Sequence, residues 1–146
     1  MKRTEISTRF HSLNSVETMK FAARLATSLR PNDVIALSGD LGAGKTTFVK
    51  GLAKGMGLCD EEAITSPTFS YLNIYEGTTP LFHFDLYRLS SEIEFELSGF
   101  QDYFCAGGIT CIEWPNCAIP CLPKKTFFID LMHRGAQKRE ILMRRY

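Results

Sequence analysis

The feature that most limits how this chain can fold is the stretch from Val34 to Met56. A compact apolar run, VIALS (34–38), leads without a spacer into GDLGAGKT (Gly39–Thr46), and TTFVKGLAKGM (46–56) follows. The first run has the length and β-branched content of a buried parallel strand. The last carries Phe48, Val49, Leu52, Ala53 and Met56 at helical spacing, with Gly57 placed to end it. Strand, G-x-x-x-x-G-K-T, helix is the context in which such a glycine-rich turn cradles phosphate. Gly39 lets the chain leave the strand sharply. Gly42 and Gly44 lack Cβ atoms, so backbone N–H groups can curl round phosphate oxygens, and the helix beginning near Lys45 points its positive end at the same place. Lys45 is expected to reach the β- and γ-phosphates, and Thr46 to offer its hydroxyl to Mg²⁺.

The rest of the chain fits an α/β frame around that unit. TEISTRF (4–10) reads as a short strand. Asn14 with Glu17 signals a helix N-terminus, and helical periodicity continues to Arg30 before Pro31 and Asn32. SPTFSYLNIY (66–75) reads as a loop entering a strand; EGTTP (76–80) is a turn and LFHFD (81–85) a second strand, together a hairpin. Ser91 with Glu94 opens a short helix ending near Gly99. GITCIEW (108–114) contains another buried strand, and KTFFIDLM (125–132) with REILMRRY (139–146) reads as a closing hairpin. The expectation is one domain over residues 1–146, with a mixed, mainly parallel central sheet flanked by helices and a C-terminal β-hairpin. Gly51 and Gly55 weaken the second helix by about 1 kcal/mol each relative to Ala, so packing must hold it.

A phosphate loop needs a carboxylate at the C-terminal end of a neighbouring strand to complete a metal shell. Asp85 ends LFHFD and Glu113 ends ITCIE; the residues alone leave open which of them meets Mg²⁺ and which orients the attacking water. His83, Asp85 and Tyr87 fall on one face by strand alternation, which offers His83 as a partner for Asp85, and Arg88 as a charge-stabilising group or an ordinary ion-pair partner. The same alternation turns Trp114 away from Glu113 towards the core. Ser66 and Thr68 lie in a Pro-stiffened loop of the kind that senses a γ-phosphate in nucleotide switches.

Composition removes several classes. A formal charge of +1 is unlike a surface that coats nucleic acid, which leaves no expectation of DNA binding. MKRTEISTRF has no apolar secretion region, and no apolar run approaches the roughly 18 residues of a membrane span; a cytoplasmic protein is expected. The five cysteines are an odd count without an export signal, which reads as reduced thiols. Their spacing matches a zinc site poorly.

SGDLGAGKTTF (38–48), SPTF (66–69), HFDLYRL (83–89) and IEW (112–114), in this order and at these spacings, resemble the TsaE (YjeE) family of bacterial P-loop ATPases. The resemblance runs from about Glu17 to Glu140. It implies ATP and Mg²⁺ as cofactors and a role in forming N6-threonylcarbamoyladenosine at position 37 of ANN-decoding tRNAs. TsaD and TsaB would be the partners, and tRNA would be met only indirectly. Carried over by position, Asp40, Leu41, Gly42, Ala43, Gly44, Lys45, Thr46 and Thr47 would surround the triphosphate. Thr46 and Glu113 would bind Mg²⁺, Lys45, Asp85 and Glu113 would serve catalysis, and Trp114 would lie close to the nucleotide. Thr18 and Arg139 would neighbour the base or ribose. Two departures stand out: Lys138 replaces the Gly usual before Arg139, and PNC follows IEW where relatives carry an acid. The rival readings are a small-molecule or nucleoside kinase, for which no Arg-rich lid is visible, and a nucleotide-gated protein-binding module. A GTPase lacks its N-K-x-D segment here.

Overall fold

The computed structural model describes residues 5–58 and 61–145; Thr4, Cys59 and Tyr146, which figured in the sequence reading, lie outside them. Among the described residues seven strands form one mixed sheet: β1 (Ile6–Ser12), β2 (Val34–Gly39), β3 (Leu72–Tyr75), β4 (Leu81–Asp85), β5 (Ile109–Glu113), β6 (Phe127–His133) and β7 (Arg139–Arg145). Their order is β1-β7-β6-β2-β5-β4-β3. Parallel pairing occupies the centre, where β2 lies between β6 and β5 and β5 pairs with β4. The flanks are antiparallel: the β3–β4 hairpin on one side, and β6–β7 with β1 on the other.

The sheet is covered by α1 (Ser15–Ala26), α2 (Lys45–Gly55) and α3 (Glu92–Leu97). Asn14 caps α1 by accepting the Glu17 N–H, while the Glu17 carboxylate accepts the Leu13 N–H. The helix ends at Ala26 rather than Arg30. Thr27 and Ser28 turn their hydroxyls onto the Arg24 and Leu25 carbonyls, and these local bonds replace the next helical turn. Ser91 caps α3 through the Glu94 N–H, and Gly99 leaves that helix with φ of 72°.

Strand alternation splits the interior into two layers. Ile35, Leu37, Leu81, Ile109, Ile129 and Leu131 face α1 and α2, meeting Phe48, Val49, Leu52 and Ala22. Val34, Phe82, Phe84 and Ile112 face the other way, against Phe95 of α3 and Phe104 and Ala118 of the 3-10 segments Phe100–Cys105 and Pro115–Cys121. The glycines of α2 find their reason in the first layer. A Cβ on Gly51 would fall 2.8 Å from the Ala22 Cβ and press on the Met19 carbonyl oxygen; one on Gly55 would lie 2.7 Å from the Ala23 Cα. They let α2 pack directly on the backbone of α1.

Candidate nucleotide and metal site

Because β2, β5 and β4 run parallel, their carboxyl ends reach the same sheet edge. Leu37 stands opposite Glu113, and Glu113 opposite Asp85. The loop from Gly39 to Gly44 turns there into α2. Gly42 and Gly44 adopt φ of 78° and 101°, and a Cβ on either would meet nothing within 4 Å. Gly44 is the N-cap of α2 and supplies no side chain, so the open space before the loop faces backbone and the positive helix end. A cleft of about 500 Å³ opens at this edge, lined by the loop, Thr46, Thr47, Ser66, Thr68, Asp85, Tyr87, Glu113 and Trp114.

Lys45 lies across the cleft floor. Its ammonium donates to the Gly39 and Asp40 carbonyl oxygens and sits 4.2 Å from the centre of the Trp114 ring. Burial lowers its pKa, against the opposing pull of the Glu113, Asp85 and Asp40 charges. Lys45 is thus a cation held by carbonyl dipoles and an aromatic face, which phosphate oxygens can exchange for stronger charge-assisted bonds.

The two acids are buried at 4% and 2% exposure, yet they are engaged differently. Asp85 has both oxygens occupied: Oδ1 accepts the Tyr87 N–H at 3.0 Å, and Oδ2 accepts the Ser66 hydroxyl at 2.6 Å. In Glu113 only Oε2 is engaged, 3.1 Å from the Ser66 hydroxyl and 3.5 Å from His83 Nε2. Glu113 Oε1 has no hydrogen-bond partner among the described residues. A buried carboxylate oxygen left bare is costly unless a cation or donor completes it. Mg²⁺ fits this donor set: hard oxygen ligands, few from protein, the remainder from phosphates and water. Among the described residues no group of three or more His, Cys, Asp or Glu side chains could hold a metal, so protein carboxylates form no closed cage there.

The structure moves several sequence-derived assignments. Strand alternation placed Trp114 in the core, but β5 ends at Glu113 and Trp114 takes φ of 54°. That left-handed turn swings the indole into the cleft, against Lys45 and 5.0 Å from the Tyr87 ring. His83 is fully buried beside Glu113, not Asp85, because Cys111 is its cross-strand neighbour and Glu113 follows on the same face. Arg88 lays its guanidinium over the Phe69 ring. Leu41 reaches the cleft with its side chain 75% exposed. Ala43 is fully buried and Asp40 lines a separate depression with Asp130 and His133; the Asp40 carbonyl accepts from Lys45, and the Ala43 carbonyl accepts from Arg139.

Thr18 and Arg139 line a second depression of about 310 Å³, continuous with the loop through Gly42, Gly44 and Thr47. The Thr18 hydroxyl bonds to that of Ser12 at 2.7 Å. Arg139 donates to the Gly42 and Ala43 carbonyls at 3.1 and 3.0 Å, so the β7 strand braces the loop from behind despite Lys138 at its start. Ser15 and Gln137 also line this depression. Neither carries a motif; only the folding of α1 and the β6–β7 turn onto the loop brings them here. Tyr87 lines the main cleft as well, a position readable in sequence only as two residues beyond Asp85.

A phosphate loop between a central parallel strand and a helix, with two buried acids at the same sheet edge, defines a P-loop NTPase. Comparison with known proteins is more specific. The family model described as "Threonylcarbamoyl adenosine biosynthesis protein TsaE" matches residues 12–141. The tRNA threonylcarbamoyladenosine biosynthesis protein TsaE of Bacillus subtilis is 39% identical over 134 residues, 91% of this chain and 82% of that one. Its Treponema pallidum counterpart is 39% identical over 130 residues, covering 89% and 95%. A crystal structure of Bacillus subtilis YdiB superposes with a TM-score of 0.80 at 33% identity over 99% of this chain and 88% of that one. The chain belongs to the TsaE family.

Proposed function

We propose that this chain binds ATP with Mg²⁺ and hydrolyses it as the energy-coupling component of the machinery that forms N6-threonylcarbamoyladenosine at position 37 of ANN-decoding tRNAs, acting in the cytoplasm on a TsaB–TsaD complex. The names of its relatives support the pathway. The observation that carries the chemistry is the asymmetry of the two acids: among the described residues one Glu113 oxygen has no hydrogen-bond partner, whereas both Asp85 oxygens have one. Glu113 and the Thr46 hydroxyl would hold Mg²⁺, and Asp85, fixed by Tyr87 and Ser66, would orient the attacking water. The chemistry a Mg²⁺ held by these residues would supply is neutralisation of phosphate charge. Lys45 would leave the Gly39 and Asp40 carbonyls for the phosphates, while the loop N–H groups from Gly42 to Thr47 fix the triphosphate. Trp114 and Tyr87 would wall the cleft against water, and Thr18 and Arg139 would border the nucleoside. A formal charge of +1 suits a protein that leaves tRNA to its partners.

The test is association with purified TsaB–TsaD, together with ATP turnover, in Mg²⁺ or in EDTA, for the wild type and Lys45→Ala. Association should require ATP and Mg²⁺ and be lost in the variant. Equal association with and without nucleotide would sink the proposal, and transfer of the γ-phosphate to a small acceptor would establish a kinase instead.

A further inference from the structure

His83 is an expensive residue to keep where it stands. It is fully buried, on the sheet face otherwise filled by Leu81, Ile109, Ile35 and Leu37 under α2. Neither ring nitrogen has a hydrogen-bond partner among the described residues. A leucine would fill similar space without burying two polar atoms. Its cross-strand neighbour Cys111 suggests a nucleophilic pair, but that thiol is fully buried and burial, then the Glu113 charge, pushes its pKa well up. It stays a protonated, inert thiol. The polar atom that His83 does face is Glu113 Oε2, 3.5 Å from Nε2, slightly beyond hydrogen-bond length. The Ser66 hydroxyl touches that same oxygen, while Oε1 has no hydrogen-bond partner among the described residues.

We infer that His83 is a positioning residue for Glu113: its Nε2–H holds Oε2 from behind, so that Oε1 is presented to the cation. This rests on the Mg²⁺ reading above. Outer partners that orient a liganding group typically change metal affinity 10- to 100-fold when removed. The imidazole tautomer that serves is the one with its hydrogen on Nε2, since a lone pair there would repel the carboxylate.

Trp114 is the only tryptophan and lies against Lys45 in the cleft, so its emission reports on nucleotide and metal without turnover. Wild type, His83→Leu and His83→Gln would be titrated with ATP in EDTA, then with Mg²⁺ at saturating ATP, and melted without ligand. Leu fills the volume and removes the donor; Gln keeps a donor near the Nε2 position. His83→Leu should melt no lower than wild type and bind ATP in EDTA within about twofold, yet need at least tenfold more Mg²⁺. His83→Gln should recover most of that loss. Mg²⁺ midpoints equal to wild type in His83→Leu, or equally poor in both variants, would overturn the inference. An absent Mg²⁺ response in the wild type would instead overturn the metal site itself.

Discussion

Ser66 Oγ carries one hydrogen and faces two carboxylate oxygens, Asp85 Oδ2 at 2.6 Å and Glu113 Oε2 at 3.1 Å. The shorter contact takes the hydrogen, and the serine spans two acids that would otherwise meet across the β4–β5 register with no donor between them. Ser66→Ala leaves a buried carboxylate oxygen without its donor, a loss of about 1–3 kcal/mol. Urea unfolding at neutral pH should show that drop, and Ser66→Thr, which keeps the hydroxyl, should restore most of it. Identical curves for Ser66→Ala and wild type would mean that the hydroxyl holds nothing. In the sequence Ser66 is legible as a loop hydroxyl, but its partners lie 19 and 47 residues away. The acids themselves are legible because each ends an apolar strand, and parallel strands must deliver their ends to one edge. Trp114 is not, because strand alternation holds only while the strand continues, and a positive φ at a non-glycine residue leaves no mark in composition.

Between α1 and α2 two principles compete. Replacing Gly51 by Ala in an isolated helix would gain about 1 kcal/mol of propensity. Here the new methyl group would strike the Met19 carbonyl and the Ala22 Cβ, and at Gly55 the Ala23 backbone. Backbone cannot rotate aside as a side chain can, so the helices must part, and overpacking of this kind costs about 1–3 kcal/mol. Packing wins: Gly51→Ala and Gly55→Ala should each lower the melting temperature despite the better helix former. A rise in either would show that α1 and α2 adjust freely. From sequence the same glycines read as weak points, since composition reports propensity and not what lies across the interface. The strands and α-helices were otherwise legible, because apolar spacing and the caps at Asn14 and Ser91 are local signals, whereas the 3-10 segments Phe100–Cys105 and Pro115–Cys121 carry no such signal. The pairing of β1 with β7 is not, since it joins residues 6–12 to 139–145 and no short-range pattern encodes that closure.

That closure is locked at one residue. Glu140 on β7 is 3% exposed and pairs with Arg9 of β1, 131 positions away, and with Arg134 of the β6–β7 turn at 2.7 Å. The preceding residue, Arg139, braces the phosphate loop, so one strand end ties the sheet edge to the site. Burial pushes the Glu140 carboxyl upward, but hydrogen bonds and charge from Arg134 and Arg9 outweigh it and hold the pKa below the ordinary value of 4.5. The unfolded chain therefore binds the proton first as pH falls, and unfolding gains from acid. Glu140 stabilises the fold fully above about pH 4.5 and loses that contribution as pH drops through the lower, folded-state value. Wild type and Glu140→Gln would be unfolded in urea at steps from pH 7 to pH 3. Every other titrating group is common to both, so the difference isolates this one. Wild type should be the more stable by a constant margin down to about pH 4.5, after which the curves converge. A margin that stays constant to pH 3 would mean that the amide loses only packing, and that the charges joining the first and last strands contribute nothing.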